Sequence, residues 1–285
     1  MEKHAVANHA VAVKLDEIAD LLETQAANPF RISAYRKAAE TVRRLPEQVT
    51  ELVAREGLEG LDRLPGIGTS LARAIFQIVN HGYSPIAERL RGVSDPIDIL
   101  RSIPGIGRIS ADYLYNELSI HSLEELEAAA YDGRLEKAPG FGPKKLKGVR
   151  ESLEARLGRL RRPAGNTVIP ISELLAIDRE YLDKASRGEL ELIAPRRFNP
   201  KHEAWLPILH ATRGDIHYTA LFSNTPHAHQ MGKTRDWVVI YCDGIAGERQ
   251  FTAITSERGP LEGRRIIRGR EAECLDYYFG NSGRS

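Results

Sequence analysis

One pentapeptide pattern occurs three times in the first half of this 285-residue chain. The copies are Leu64-Pro65-Gly66-Ile67-Gly68, Ile103-Pro104-Gly105-Ile106-Gly107 and Ala138-Pro139-Gly140-Phe141-Gly142. Each follows a short segment with helical periodicity and precedes a longer one. Proline ends a helix and glycine admits backbone angles that other residues resist, so each copy reads as a tight turn between two helices. The apolar residue between the glycines is expected to plug the gap between those helices. The glycines also leave room for a phosphate near the backbone, where the first N–H groups of the second helix have no intrahelical partner. A single copy would be only a turn. Three at similar spacing favour a repeated anion-binding device.

The segments around the repeat look helical throughout. Val13, Leu15, Ile18, Leu21 and Leu22 recur at helical spacing, and Ile32–Arg44 places Tyr35, Ala38, Ala39 and Val42 on one face. Pro46 is expected to open a third helix. Ser122 and Glu125 form a capping box. Residues 1–163 are therefore expected to be all-α, with hairpins near 64–68, 103–107 and 138–142. Arg161 to Asn166 reads as a linker.

Residues 164–285 differ in character. A helix is expected at Ile171–Lys184. Strands rich in β-branched and aromatic residues follow at Trp205–Leu209, Ile216–Phe222, Trp237–Tyr241 and Phe251–Thr255, with a shorter one at Arg264–Ile267. Glu271–Phe279 reads as a final helix. Short loops between the strands favour antiparallel pairing, hence a small α+β domain. Two cysteines, Cys242 and Cys274, show neither a disulfide framework nor zinc-ligand spacing.

Forty Lys and Arg against thirty-nine Asp and Glu argue at first against a polyanionic partner. The balance is a cancellation. Residues 144–162 hold eight basic and two acidic residues, launched from the third turn, whereas the first helix and Glu117–Glu136 are acid-rich. The DNA-contacting groups expected on this basis are Gly66, Ile67, Gly68 and Thr69 in the first copy. Gly105, Ile106, Gly107, Arg108 and Ser110 follow in the second, and Gly140, Gly142, Lys144, Lys145 and Lys147 in the third. No apolar run approaches the ~18 residues of a membrane span. The N-terminus lacks a secretory signal, so a cytoplasmic location is expected, nucleoid-associated in a bacterium.

The repeat matches the helix-hairpin-helix motif, a sequence-tolerant binder of DNA backbones. With Asn28-Pro29-Phe30-Arg31-Ile32-Ser33-Ala34-Tyr35-Arg36-Lys37-Ala38-Ala39 before the first copy, and Asp95–Leu160 after it, the chain resembles the N-terminal, lyase-like region of bacterial family X DNA polymerases. The resemblance covers slightly more than half the chain. It implies a 5′-phosphate pocket at Arg31 and Tyr35, with Lys37 on the same helix, and is compatible with a monovalent cation at the hairpin carbonyls. The lysines of lyase-active members fall at Asp62, Ser70 and Ala74, so Schiff-base lyase chemistry is not expected. The polymerase palm that the resemblance implies has no counterpart after Pro163, where Asp215, Asp236 and Asp243 stand alone.

The expected function is sequence-independent binding to gapped, nicked or flapped DNA in repair or end processing. Two alternatives concern the second half. One is a structure-specific or abasic-site nuclease using His227, His229 and Asp236 of the polar stretch Thr219–Asp236, with a divalent metal. The other is a scaffold that docks another repair protein. Arg264, Arg265 and Arg268 could also line a DNA backbone, with Trp205, Trp237 or Tyr218 stacking on bases.

Overall fold

The computed structural model describes residues 2–82, 84–92, 96–118, 120, 123–131, 133–157, 169–195, 198–244 and 247–280, a few of them by backbone alone. The capping box at Ser122 and the linker Arg161–Asn166 lie outside the described residues. Among the described residues nine α-helices come first: α1 Glu2–Thr24, α2 Pro29–Arg44, α3 Val49–Asp62, α4 Thr69–His81, α5 Pro85–Leu90, α6 Pro96–Arg101, α7 Arg108–Asn116, α8 Leu123–Tyr131 and α9 Pro143–Leu157. Local chemistry sets several starts. Asn28 caps α2 by accepting from the Phe30 N–H, with Pro29 at the first helical position. The third helix opens at Val49 rather than at Pro46. Its cap comes from α1, where Asn8 Oδ1 accepts the Val49 N–H at 2.8 Å.

In the second half α10 (Ile171–Ser186) leads into a six-stranded antiparallel meander in the order β1 to β6. Its strands are β1 Glu191–Ile193, β2 Leu206–Arg213, β3 Ile216–Phe222, β4 Val238–Gly244, β5 Gly247–Thr255 and β6 Arg265–Ile267. A short helix α11, Pro226–Gln230, lies between β3 and β4, and α12 (Glu271–Phe279) closes the described chain. The expected strands and both expected helices are present. The three-residue strand β1 and α11 were not expected.

Packing groups the residues into three cores. The second and third hairpins share one, formed by Ile97, Leu100, Leu114, Tyr115, Leu126, Leu146, Val149 and neighbours. One face of the sheet, including Leu209, Tyr218, Ala220, Val238, Ile240 and Cys242, packs with Leu174, Leu175 and Tyr181 of α10 and Cys274 of α12. The opposite face supplies Ile208, Leu221, Val239 and Tyr241 to the core of α1–α5. Alternation along β4 explains the arrangement: Val238, Ile240 and Cys242 face α10, while Val239, Tyr241 and Asp243 face the first helical bundle. A strand covered on both faces reads as a continuous apolar run, as Trp237–Cys242 does.

Candidate nucleic-acid interface

The three turns share one backbone conformation. The Ile67 N–H donates to the Leu64 carbonyl at 3.1 Å, Ile106 to Ile103 at 3.0 Å and Phe141 to Ala138 at 3.2 Å. Gly66, Gly105 and Gly140 hold φ of 77°, 88° and 77°. Proline at the second position and a positive-φ glycine at the third define a type II turn in each copy. The following helix is anchored alike, with Ala72, Ala111 and Leu146 donating to the carbonyls of Gly68, Gly107 and Gly142. The repeat also reaches further back than its pentapeptide. Leu64, Ile103 and Ala138 each donate to the carbonyl of a leucine three residues earlier, and Leu61, Leu100 and Leu135 are fully buried.

Ile67 and Ile106, counted among the DNA-contacting groups, are 3% and 4% exposed. They shape the turns from inside, as Phe141 does, and their side chains cannot touch a ligand. Gly66, Gly68, Gly105, Gly107, Gly140 and Gly142 are exposed. Beyond the second turn Arg108 is exposed, and beside it Ile109 is 87% exposed, an apolar side chain that sequence reasoning passed over. Its polar neighbours were the only available signal.

Hairpins two and three form one surface. Lys145 Nζ donates to Ser110 Oγ at 2.9 Å across the two turns and lies 4.2 Å from the Phe141 ring centroid. Burial lowers the Lys145 pKa from its ordinary value. Lys144 and Lys147 are exposed on the same helix start, with Lys147 3.9 Å from Glu151. Part of the basic run is structural: Arg150 Nε donates to the Ala130 carbonyl near the end of α8 at 2.8 Å. Arg159, Arg161 and Arg162 lie outside the described residues.

The first hairpin has different surroundings. Thr69 Oγ1 donates to Asp62 Oδ1 at 3.1 Å, and Ser70 Oγ donates to Asp243 Oδ1 of β4 at 2.7 Å. Arg31 Nη2 donates to the other oxygen of Asp243 at 3.1 Å, in an ion pair whose side chains are 5% and 8% exposed. Tyr35 is buried and Lys37 exposed. Arg31 thus lies under the sheet, Tyr35 is buried in the core of the bundle, and Lys37 is exposed to solvent. Around them runs a polar layer between bundle and sheet. Gln25 Nε2 donates to the Leu90 carbonyl, its Oε1 accepts from His210 Nε2 at 2.9 Å, and Thr219 Oγ1 reaches His210 Nδ1. Asn28 donates to Thr212, and Arg89 stacks 4.0 Å from the Tyr241 ring centroid. Burial, reinforced by Arg31 and Arg89, pushes the His210 pKa down to about 3.

Of the second-half candidates, Asp236 and His229 are each held by other partners. Asp236 accepts from Thr255 Oγ1 and from Arg265, which also binds Asp178 in a bidentate pair at 2.7 and 2.8 Å. His229 bonds Asn224 at 2.7 Å and stacks on Phe198; the side chain of His227 lies outside the described residues. Arg265 is consumed by its carboxylates, and Arg264 lies over the Tyr278 ring. Tyr218 is fully buried and Trp237 nearly so, under Arg268, so neither can stack on a base. Among the described residues no group of three His, Cys, Asp or Glu side chains is placed to hold a metal ion. No helix described is long and apolar enough to cross a membrane.

These turns define the class. The helix-hairpin-helix domain family matches residues 6–84, and the SAM-like helix-hairpin-helix tandem family matches residues 58–119 and 97–155. The chain is also 29% identical over 140 residues to the DNA polymerase/3′-5′ exonuclease PolX of Bacillus subtilis (strain 168). That match takes in 49% of this chain and 24% of PolX, so the chain spans about a quarter of the length of this curated relative. The N-terminal half is a helix-hairpin-helix region related to the family X polymerases, followed by a C-terminal region with a six-stranded antiparallel sheet. The helix-hairpin-helix matches support DNA binding by this half.

Proposed function

We propose that the protein binds DNA without sequence preference and acts in DNA repair or end processing at gapped, nicked or flapped sites. One observation carries this reading: hairpins two and three present the same turn side by side, joined by Lys145 and Ser110. Arg108, Lys144 and Lys147 are exposed at their helix starts. Two helix N-termini with free amides and flanking cations suit two phosphates of a backbone, which specify no base. A monovalent cation at the hairpin carbonyls belongs to the same proposal. The relative's name includes polymerase and exonuclease activities, and the matched quarter is the shared portion on which binding is proposed.

Competition binding with duplexes of unrelated sequence, and with nicked and gapped versions of each, tests this. Equal affinity across sequences and a preference for interrupted duplexes are expected. Strong discrimination between intact sequences would contradict backbone recognition. The nuclease and scaffold readings gain no specific support from the placement of Asp236 and His229.

A further inference from the structure

The second residue of the helix after each turn occupies one motif position, and it is Ser70, Ile109 and Lys144 in the three copies. Its side chain stands beside helix-start amides that have no intrahelical partner. Ser70 is half-buried and donates to Asp243, and Lys144 is an exposed cation. Ile109 has neither chemistry. It is 87% exposed, more than any other large apolar side chain among the described residues. It adds nothing to the core of hairpins two and three, although Ile106 before it and Ala111 after it are buried there. Solitary exposed apolar residues are ordinary on protein surfaces, so its exposure is informative only through its setting. Arg108 precedes it, exposed, and Ser110 follows it, accepting from Lys145 of the third hairpin at 2.9 Å. An apolar side chain thus stands alongside the cations of both hairpins, on the surface proposed to face DNA.

A phosphate offers nothing to an isoleucine, and in an intact duplex the base faces are stacked out of reach. At a gap the stack is interrupted, and the flat face of a terminal base pair becomes accessible. Covering it removes apolar surface of both partners from water, and isoleucine is among the side chains that wedge against unstacked bases. We propose that Ile109 is the specificity-determining residue for gapped DNA. The amides and cations of hairpins two and three hold the backbone beside the gap, and Ile109 packs against the base pair exposed there. This rests on the DNA-binding reading above and assigns its structural preference to one side chain.

Ile109→Ser, Ile109→Leu and Ile109→Lys in the full chain test it, with thermal melts checking that changes at so exposed a position leave the fold intact. The probes are a fluorescently labelled intact duplex and the same duplex with a single-nucleotide gap, each titrated across salt concentrations. Burial of one isoleucine is expected to give the parent about a tenfold preference for the gapped probe. Ile109→Ser should reduce that preference to within about twofold while leaving affinity for the intact duplex unchanged, because the backbone contacts persist. Ile109→Leu should keep the preference. Ile109→Lys should lose it, bind the intact duplex more tightly and steepen the salt dependence by about 0.9, one added phosphate contact. A preference retained in Ile109→Ser, or equal losses on both probes, would overturn the role of Ile109 while leaving DNA binding intact. A parent that binds both probes alike would overturn it too. A parent that binds neither probe, or binds without salt dependence, would overturn the DNA-binding reading itself, and the role of Ile109 with it.

Discussion

Arg31 and Asp243 show how one pair of charges ties distant parts of the chain together. Both are buried, 212 positions apart, so removing one leaves the other charged and desolvated. Arg31→Ala is expected to lower unfolding free energy by about 3–5 kcal/mol in denaturant titration. The double variant Arg31→Met with Asp243→Leu should recover most of that loss. Equal damage in the single and double variants would contradict the ion-pair account. His210 adds a pH dependence of definite sign. Its pKa in the folded chain is about 3, below the ordinary 6.5, because burial and two arginines exclude the proton. Unfolding releases that restraint, so the unfolded chain binds the proton first as pH falls. Stability present above pH 6.5 is lost progressively toward pH 3, at up to ~1.4 kcal/mol per unit for this group. His217 is shifted the same way, chiefly by burial. A His210→Gln variant should show a shallower acid limb in melts across that window.

At the scale of elements, the turns demand glycine at one position each. At φ of 88°, Gly105→Ala is expected to cost about 1–2 kcal/mol from the left-handed backbone alone, measured by thermal unfolding. The same change at Gly107, which has an ordinary φ, should cost much less. The turns, the helices and the longer strands were legible because each rests on local periodicity or on glycine and proline chemistry. The three-residue β1 carries too little pattern to be read. The docking of sheet on bundle was not legible either: Asp243 looked like a lone carboxylate, and Arg31 like a group awaiting a ligand. One hint was present. The apolar run Trp237–Cys242 asks for cover on both faces of β4, while α10 and α12 cover only one. Reading that deficit required treating the two halves together, whereas the composition shift near Pro163 invited treating them apart.

Across the whole molecule, a net charge near zero resolves into surfaces of different kind. Acidic groups and arginines pair over α1–α3, as in Arg36 with Asp20 and Glu23 and Arg55 with Glu47, whereas the starts of α7 and α9 keep exposed cations. Such exposed ion pairs contribute little to stability, and their main effect is to leave that side without a basic field. Under the proposed function, hairpins two and three grip DNA phosphates. Its most direct test is the dependence of duplex affinity on salt concentration for the full chain and for Arg108→Ala and Lys144→Ala. Log affinity is expected to fall linearly with log salt, and each substitution to reduce the slope by about 0.9, one phosphate contact. Slopes identical in parent and variants would contradict it.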